Sequence, residues 1–218
     1  IDQEILDSAN KLKTISTYSV GFDHIDINYA KNKRITIGYT PDVLTNATAE
    51  LTIGLILDLL RRITEGDHII RKGKWNEIFG PFDYVGTEVS GKTLGILGMG
   101  RIGKTVAKKA SCLGMNILYH NRKSIVNTGK AKYVSLNELF KKSDVISVHV
   151  PYSKNTHHMI NSALLRKMKK TSFLINTSRG PIVNQKDLLK ILQTKKIQGA
   201  ALDVFEDEPI GKSNDLVK

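Results

Sequence analysis

The glycine-rich turn at residues 98–103 (GMGRIG) has the residue types and spacing that point most directly to chemistry. It fits the pattern G-x-G-x-x-G, follows an apolar run and opens a stretch of helical periodicity. Gly98 permits a tight turn, Gly100 lets the backbone approach a pyrophosphate, and Gly103 lets helix and strand pack closely. A structural glycine turn without a ligand is the alternative, but the strand–turn–helix context and the helix dipole favour an anion. We predict a dinucleotide site formed by Gly98, Gly100, Arg101, Ile102 and Gly103.

The segment that ends the next apolar run is cationic. Its sequence at residues 121–124 is NRKS, at the place where a site that prefers NAD usually carries a carboxylate for the ribose hydroxyls. A carboxylate would repel a ribose 2′-phosphate, whereas amide, guanidinium and hydroxyl groups can hydrogen-bond to one. A solvated basic loop is the alternative. We predict that the cofactor is NADP(H) in preference to NAD(H) and that it is bound by Asn121, Arg122, Lys123 and Ser124.

Alternating strands and helices must position these turns. From about residue 91, predicted strands lie at residues 93–97, 116–120, 145–150, 172–176 and 199–204. Predicted helices lie between them at residues 102–113, 135–141, 161–169 and 184–194. Gly114 is placed to end the first helix, Ser135 and Glu138 form a capping box, and Asn184 caps the last helix. The pattern predicts a doubly wound parallel α/β sheet of the Rossmann type, with helices on both faces.

Residues 1–44 are organised differently. Two short predicted strands, at 12–16 and 35–38, flank a helical stretch at 26–31, and these elements are too few to bury a core alone. We therefore predict that residues 1–44 are part of a second, smaller α/β domain. A single helix over about 46–72 is expected to link it to the domain formed by residues 45–218.

The composition argues against several other classes of protein. The 218 residues carry a formal net charge of +12, but the basic residues form small scattered clusters without interleaved aromatic residues, so we expect no nucleic-acid partner. The longest apolar stretch, residues 51–60, contains Asp58, so we expect no membrane partner. The single cysteine, Cys112, favours a reducing, cytoplasmic location, and we predict that its thiol is buried.

Three further segments form, with the glycine turn, a set that resembles one family. They lie at residues 19–26 (SVGFDHID), 176–183 (NTSRGPIV) and 202–209 (LDVFEDEP). In this order the motifs resemble the D-isomer-specific 2-hydroxyacid dehydrogenase family over essentially the whole chain. Residues 38–45 and 48–51 are similar in particular to its glyoxylate/hydroxypyruvate reductase branch. The resemblance implies that residues 1–44 are part of the substrate domain, that residues 45–218 are the NAD(P)-binding domain without its C-terminal end, and that the chain lacks both ends of the family's length.

The resemblance implies catalytic roles for two side chains. Arg179 matches an arginine whose planar fork would bind the carboxylate of a 2-keto acid and polarise its carbonyl. Glu208, before Pro209, matches the glutamate that orients the catalytic histidine and keeps it protonated for transfer to the carbonyl oxygen. Glu206 and Asp207 are the neighbouring alternatives. None of the six histidines stands in the family's His-x-Gly motif, so the catalytic histidine is expected beyond Lys218.

Other positions match the family's binding residues. Val20 and Gly21 match a loop whose backbone N–H groups bind the substrate carboxylate, together with Arg179. Thr48 matches a position beside the nicotinamide, with a helix cap as the alternative. Asp203 matches an aspartate that hydrogen-bonds to the carboxamide. The remaining cofactor-binding residues implied by the motifs are His149, Val150, Pro151, Thr156, Thr177 and Ser178.

The implied activity is NADPH-dependent reduction of glyoxylate or hydroxypyruvate to glycolate or D-glycerate by hydride transfer, with no metal. Two alternatives stay open. One is another D-2-hydroxyacid dehydrogenase, such as a phosphoglycerate type; the other is a non-catalytic dinucleotide-binding module of the corepressor kind. Residues 46–86 resemble the family's dimer-forming arm, so we expect a homodimer in the intact protein. The chain as given is expected to be an incomplete enzyme.

Overall fold

Two segments of the chain fold as separate units in the computed structural model, which describes residues 1–77, 80–211 and 214–217. The first unit is Ile1–Asn46 and the second is Ala47–Lys218. The elements before residue 45 are α1 (Gln3–Ser8), β1 (Thr14–Ser16), α2 (Ile27–Asn32) and β2 (Thr36–Gly38). The assignment of this segment to a substrate domain stays a prediction.

The first unit has a small core, although its elements are short. Strands β1 and β2 pair in parallel with Ile15 opposite Ile37, and α2 begins where the Asp26 carboxylate accepts a hydrogen bond from the Tyr29 N–H. Helix α1, which the sequence did not predict, contributes Leu6 to the buried cluster. The other buried members are Ile15, Ile25, Ala30 and Ile35.

The second unit is built around a parallel sheet. Its helices are α3 (Thr45–Arg61), α4 (Ile63–Arg71), α5 (Arg101–Cys112), α6 (Leu136–Lys142), α7 (Ser162–Leu165) and α8 (Gln185–Gln193). Its strands are β3 (Thr93–Leu97), β4 (Asn116–His120), β5 (Lys132–Tyr133), β6 (Val145–Val148), β7 (Phe173–Asn176) and β8 (Gly199–Leu202). Short 3₁₀ helices lie at Trp75–Glu77, Gly180–Ile182 and Asp215–Val217. The six strands pair in the order β5-β4-β3-β6-β7-β8, all in parallel.

Apolar clusters cover both faces of this sheet. Successive residues of β7 alternate between them: Phe173 and Ile175 belong to one cluster, and Leu174 belongs to the other. The first cluster includes side chains of α3 and α5, and the second includes side chains of α6, α7 and α8. The predicted doubly wound α/β fold is therefore confirmed.

Local signals placed most boundaries correctly. The Ser135–Glu138 capping box is present at α6, and the Asn184 side chain accepts a hydrogen bond from the Asp187 N–H at the start of α8. Helix α5 ends before Gly114, whose φ of +78° is a conformation that glycine adopts at little cost. Helix α7 is shorter than predicted, because its regular hydrogen bonding ends at Leu165. Strand β5 was not predicted.

The linking helix is interrupted, so the prediction of one helix over residues 46–72 is wrong. Arg62 has a φ of +56° and separates α3 from α4. Its guanidinium donates to both carboxylate oxygens of Glu65, at 2.7 and 2.6 Å, and lies 4.0 Å from the centre of the Tyr84 ring. These contacts hold a left-handed residue within an otherwise helical pattern, and nothing in the local periodicity signals them.

Three further findings concern the described residues. No helix among them is long and apolar enough to cross a membrane. No group of three or more histidine, cysteine or acidic side chains in this part of the chain could hold a metal ion. Cys112 is exposed, because it lies on the solvent-facing side of the last turn of α5, so the prediction of a buried thiol is wrong.

Candidate functional site

The candidate site lies where the parallel strands of the second unit end. Carboxyl ends of parallel strands meet at one edge of a sheet, and neighbouring loops diverge where the strand order reverses. Here that point is between β3 and β6, because the chain continues from β3 to β4 on one side and later returns to β6 on the other. The turns after β3, β4, β6, β7 and β8 contain nearly all the residues predicted to bind cofactor.

The glycine turn after β3 is held by close backbone contacts. Gly98 has a φ of +101°, and a Cβ there would lie 2.7 Å from the backbone of His149 and Val150. A Cβ on Gly103 would lie 2.2 Å from the Gly98 carbonyl oxygen. In contrast, a Cβ on Gly100 would meet no described protein atom within 4 Å. Two of the glycines are therefore required by packing, and the third is not.

The cationic segment after β4 is tied to the glycine turn. The Asn121 side-chain oxygen accepts a hydrogen bond from the Met99 N–H at 2.7 Å, so Asn121 fixes the turn between its first two glycines. The Ser124 hydroxyl lies 3.3 Å from the Tyr119 hydroxyl, and this hydrogen bond lowers the pKa of Tyr119. Arg122 and Lys123 are exposed. The segment therefore combines two side chains that are hydrogen-bonded within the fold, those of Asn121 and Ser124, with two solvent-facing cations.

The loop after β6 contains a histidine that stays neutral. His149 Nε2 lies 2.8 Å from the Ser147 hydroxyl, and burial lowers the pKa of His149 to about 4. Further along, the Thr156 hydroxyl donates to the Pro151 carbonyl at 2.8 Å. The Val150 carbonyl accepts a hydrogen bond from Ser178 at 2.6 Å, which joins this loop to the turn after β7.

Side-chain hydrogen bonds shape the turn that carries Arg179. The Asn176 amide donates to the Arg179 carbonyl at 3.0 Å, and its oxygen accepts from the Ser178 N–H at 3.1 Å. The Thr177 hydroxyl lies 2.9 Å from that of Thr52 on α3. The Thr52 hydroxyl in turn contacts the carbonyl of Thr48, which lies within α3 and is not its cap.

The turn after β7 packs directly against the segment that carries Glu208. A Cβ on Gly180 would lie 1.8 Å from the Phe205 carbonyl oxygen, so the two backbones touch. The Phe205 N–H donates to Glu208 Oε1 at 2.8 Å, and the Glu208 side chain is exposed. Arg179 and Glu208 thus belong to adjoining pieces of backbone.

Glu206 is used differently from Glu208. Its Oε1 atom accepts a hydrogen bond from the Gln185 N–H at 2.8 Å and lies 2.9 Å from His158 Nε2. Glu206, one of the two alternatives to Glu208 in the sequence, therefore has its carboxylate engaged in contacts within the fold. Asp203 immediately follows β8 with its side chain exposed, and its N–H donates to the Asn176 carbonyl at 3.0 Å.

Val20 and Gly21 lie in the first unit, in the loop after β1, and both are half-buried. Hydrogen bonds fix the start of this loop: the Thr17 hydroxyl accepts from the Ser19 N–H at 3.2 Å, and the Thr40 hydroxyl donates to the Tyr18 carbonyl at 2.7 Å. Their role as substrate-binding residues stays a prediction.

Some participants were not found from the sequence. Ser147 lies on β6, and His149 follows the end of that strand two positions later, a spacing that could have indicated that the two side chains share a face. Thr52 and His158 gave no such signal, because their partners are distant in the chain. Glu206 was named only as an alternative to Glu208, and its partners are distant as well. Only the three-dimensional structure brings them together.

Turns of this kind around the switch point of a parallel sheet define a Rossmann-type NAD(P)-binding domain. Residues 53–218 match the model of the family described as D-isomer specific 2-hydroxyacid dehydrogenase, NAD binding domain. Because this match covers most of the chain, the protein belongs to the D-isomer specific 2-hydroxyacid dehydrogenase family.

Similar proteins come from several sources. A glyoxylate reductase of Thermofilum pendens is 50% identical over 222 residues, which cover 100% of this chain and 66% of that protein. A D-lactate dehydrogenase from Aquifex aeolicus, solved with NAD and lactic acid, has a TM-score of 0.90 at 40% identity, covering 95% of this chain and 62% of that one. An acyclic imino acid reductase in complex with NADPH and D-arginine has a TM-score of 0.90 at 33% identity, covering 100% and 68%. The chain thus spans about two thirds of the length of these proteins.

Proposed function

We propose that the full-length protein reduces a small 2-keto acid, with glyoxylate or hydroxypyruvate as substrate and NADPH as cofactor, to glycolate or D-glycerate. The observation that carries the proposal is the contact between Gly180 and the Phe205 backbone, which joins the Arg179 turn to the Glu208 segment. This junction adjoins the glycine turn through the loop after β6: Ser178 donates to the Val150 carbonyl, and Gly98 lies against the backbone of His149 and Val150. The family membership and the name of the Thermofilum relative support the substrate class.

The chain's own residues fit a dinucleotide. The described protein atoms leave open space around Gly100, so packing does not require a glycine there. This space is consistent with close approach of a pyrophosphate to the backbone at the start of α5. Asn121 keeps the turn in place through the Met99 N–H. When bound, NADPH supplies a hydride to the keto carbon.

Arg179 and Glu208 have separate tasks in this proposal. The Arg179 guanidinium binds the substrate carboxylate through two parallel N–H donors and polarises the carbonyl, which favours the charge that develops on its oxygen. Glu208 orients the proton-donating histidine that the family resemblance implies. Neutral His149 adds no charge beside the glycine turn at physiological pH.

The preference for NADPH rests on the two exposed cations, Arg122 and Lys123, and on the absence of a carboxylate at residues 121–124. We expect Arg122→Asp to reverse the preference, because a carboxylate repels a 2′-phosphate and can accept hydrogen bonds from ribose hydroxyls. The measurement is kcat/KM with NADPH and with NADH for both proteins, and Arg166→Asp, an exposed arginine beyond α7, serves as the charge control. An unchanged ratio in Arg122→Asp would contradict this assignment.

The substrate proposal is tested by following NADPH oxidation by the full-length protein with glyoxylate, hydroxypyruvate and pyruvate. We expect turnover with the first two to exceed turnover with pyruvate. Dinucleotide binding without turnover of any of the three acids would contradict the proposal and would favour a binding module instead.

We further propose that the intact protein is a homodimer formed through the arm that begins at α3. Apolar side chains are unusually exposed there, including Ile63 at 57%, Ile70 at 55% and Trp75 at 62%. Light scattering of the full-length protein is expected to give twice the subunit mass, and a single subunit mass would contradict this.

A further inference from the structure

His158 lies in the segment between β6 and α7, in a constrained backbone conformation. Its φ is +48°, a left-handed conformation that is uncommon for residues other than glycine. Its N–H donates to the Pro181 carbonyl at 2.8 Å, next to the Arg179 turn. Such a conformation costs free energy and persists only where surrounding contacts impose it.

The hydrogen-bond partners of the imidazole define its tautomer. The Asn184 oxygen is occupied as the cap of α8, where it accepts from the Asp187 N–H at 3.0 Å. The Asn184 amide nitrogen, which can only donate, therefore faces His158 Nδ1 at 3.3 Å. Nδ1 must accept this bond, so the proton of a neutral ring is on Nε2, which donates to Glu206 Oε1 at 2.9 Å.

Through Glu206, the hydrogen bond from His158 also restricts the position of the proposed catalytic residues. Its Oε1 atom accepts from the first N–H of α8, at Gln185, as well as from His158. The backbone just before it, at Phe205, touches Gly180 and donates to Glu208. His158 thus holds both sides of the junction: through its own N–H it contacts the Arg179 turn, and through Glu206 it contacts the Glu208 segment.

We propose that His158, as a neutral imidazole protonated on Nε2, is a positioning residue that sets the placement of Arg179 relative to Glu208. This inference rests on the proposed function for its catalytic consequence, but the tautomer and the constraint do not depend on it. The adjacent His157 has no such role: its ring stacks on His158 at 3.9 Å, and its Nδ1 lies 3.3 Å from the Tyr152 hydroxyl.

Two substitutions separate the donor from the backbone conformation. Asparagine tolerates a positive φ but is too short to donate to Glu206, whereas the glutamine amide nitrogen can reach the place of Nε2. In the full-length protein, His158→Asn is expected to lower kcat about tenfold with less than a threefold change in the dissociation constant of NADPH, because misplaced catalytic groups slow turnover on the order of tenfold to a hundredfold. His158→Gln is expected to restore kcat to within about threefold, and His157→Gln, the matched control, to leave it within twofold.

A readout without turnover distinguishes failure of this inference from failure of the proposed function. With ¹⁵N-labelled histidine, the ring nitrogens of His158 at pH 7.5 are expected to show a protonated Nε2 and an unprotonated Nδ1. The backbone amide resonances of residues 179, 180 and 205–208 are expected to shift in His158→Asn and to return towards their original positions in His158→Gln. A proton on Nδ1, or unchanged amide resonances in His158→Asn, would overturn the proposal whether or not the protein turns over a keto acid. Equal loss of kcat in the asparagine and glutamine variants would also overturn it.

Discussion

The glycine turn after β3 and the Arg179 turn after β7 lie at the same edge of one sheet, but they are held in different ways. The glycine turn depends mainly on close packing: Gly98 and Gly103 leave no room for a Cβ against the neighbouring backbone, and Asn121 adds one side-chain hydrogen bond, from the Met99 N–H. The Arg179 turn also contains one glycine without room for a Cβ, Gly180, but its shape comes from side chains, since Asn176 and Ser178 hold it by hydrogen bonds. The first arrangement presents backbone N–H groups, whereas the second presents one guanidinium at a defined place.

The difference explains how each turn can fail. A side chain added at Gly98 or Gly103 acts on packing, and one added at Gly100 acts on the approach of a ligand. The Arg179 turn shares its position with the segment at 205–208, so a change at their junction should disturb two separated stretches of chain together. The following predictions test this distinction, beginning with the largest expected effect.

Gly180→Ala is expected to destabilise the fold by at least about 3 kcal/mol, because its Cβ would lie 1.8 Å from the Phe205 carbonyl oxygen and both sides are backbone. Turnover should be lost with it. Urea unfolding provides the measurement. Gly54→Ala is the control: it lies in α3 with open space around it, and it is expected to raise stability by about 0.5–1 kcal/mol. If Gly180→Ala were as stable as the original protein, the Arg179 turn and the segment at residues 205–208 would not be coupled through this contact.

Two of the three glycines of the β3 turn, Gly100 and Gly103, should separate ligand binding from packing. Gly103→Ala is expected to cost about 1–3 kcal/mol of unfolding free energy, because its Cβ would lie 2.2 Å from the Gly98 carbonyl oxygen. Gly100→Ala should leave stability within about 0.5 kcal/mol and weaken NADPH binding on the order of tenfold. Unfolding curves and fluorescence titration of NADPH give the two values. Unchanged NADPH affinity in Gly100→Ala would show that this glycine does not admit the pyrophosphate.

His149 should make the glycine-turn region sensitive to mild acid. Its pKa is about 4 in the folded state and 6.5 as a free side chain, so the unfolded chain binds the proton first as the pH falls. Its contribution is complete above pH 6.5 and declines towards pH 4, by about 2 kcal/mol at pH 5. The difference in unfolding free energy between pH 7.5 and pH 5 is therefore expected to be smaller in His149→Gln. An equal pH dependence in both proteins would exclude His149 as the cause.

Local patterns predicted the sheet and its turns well, because each strand and helix has its own signals. The capping box of α6 and the glycine after α5 are examples, and the G-x-G-x-x-G turn follows from three positions close in the chain. The break at Arg62 was missed because it depends on Glu65 and Tyr84. Cys112 was misplaced because helical periodicity does not fix which face of a terminal turn is covered.

The site was harder to predict, because its geometry also depends on contacts between residues that are distant in the chain. Arg179 and Glu208 were predicted as catalytic residues only through motifs that resemble a family, and these roles stay predictions. The hydrogen bonds that distinguish Glu206 from Glu208 join residues far apart in the chain. Neither the helical nor the strand periodicity of a sequence carries information about such pairs.

The central claim is that the Arg179 turn serves chemistry while the glycine turn serves cofactor binding. It is tested most directly by measuring kcat/KM for hydroxypyruvate and the dissociation constant of NADPH on the same preparations of full-length protein and of Arg179→Gln. The claim predicts that kcat/KM falls about 10²–10³-fold, because a charged donor to the developing oxyanion is lost, while the NADPH dissociation constant changes less than about threefold. Parallel loss of NADPH affinity and turnover, or undiminished kcat/KM, would contradict it.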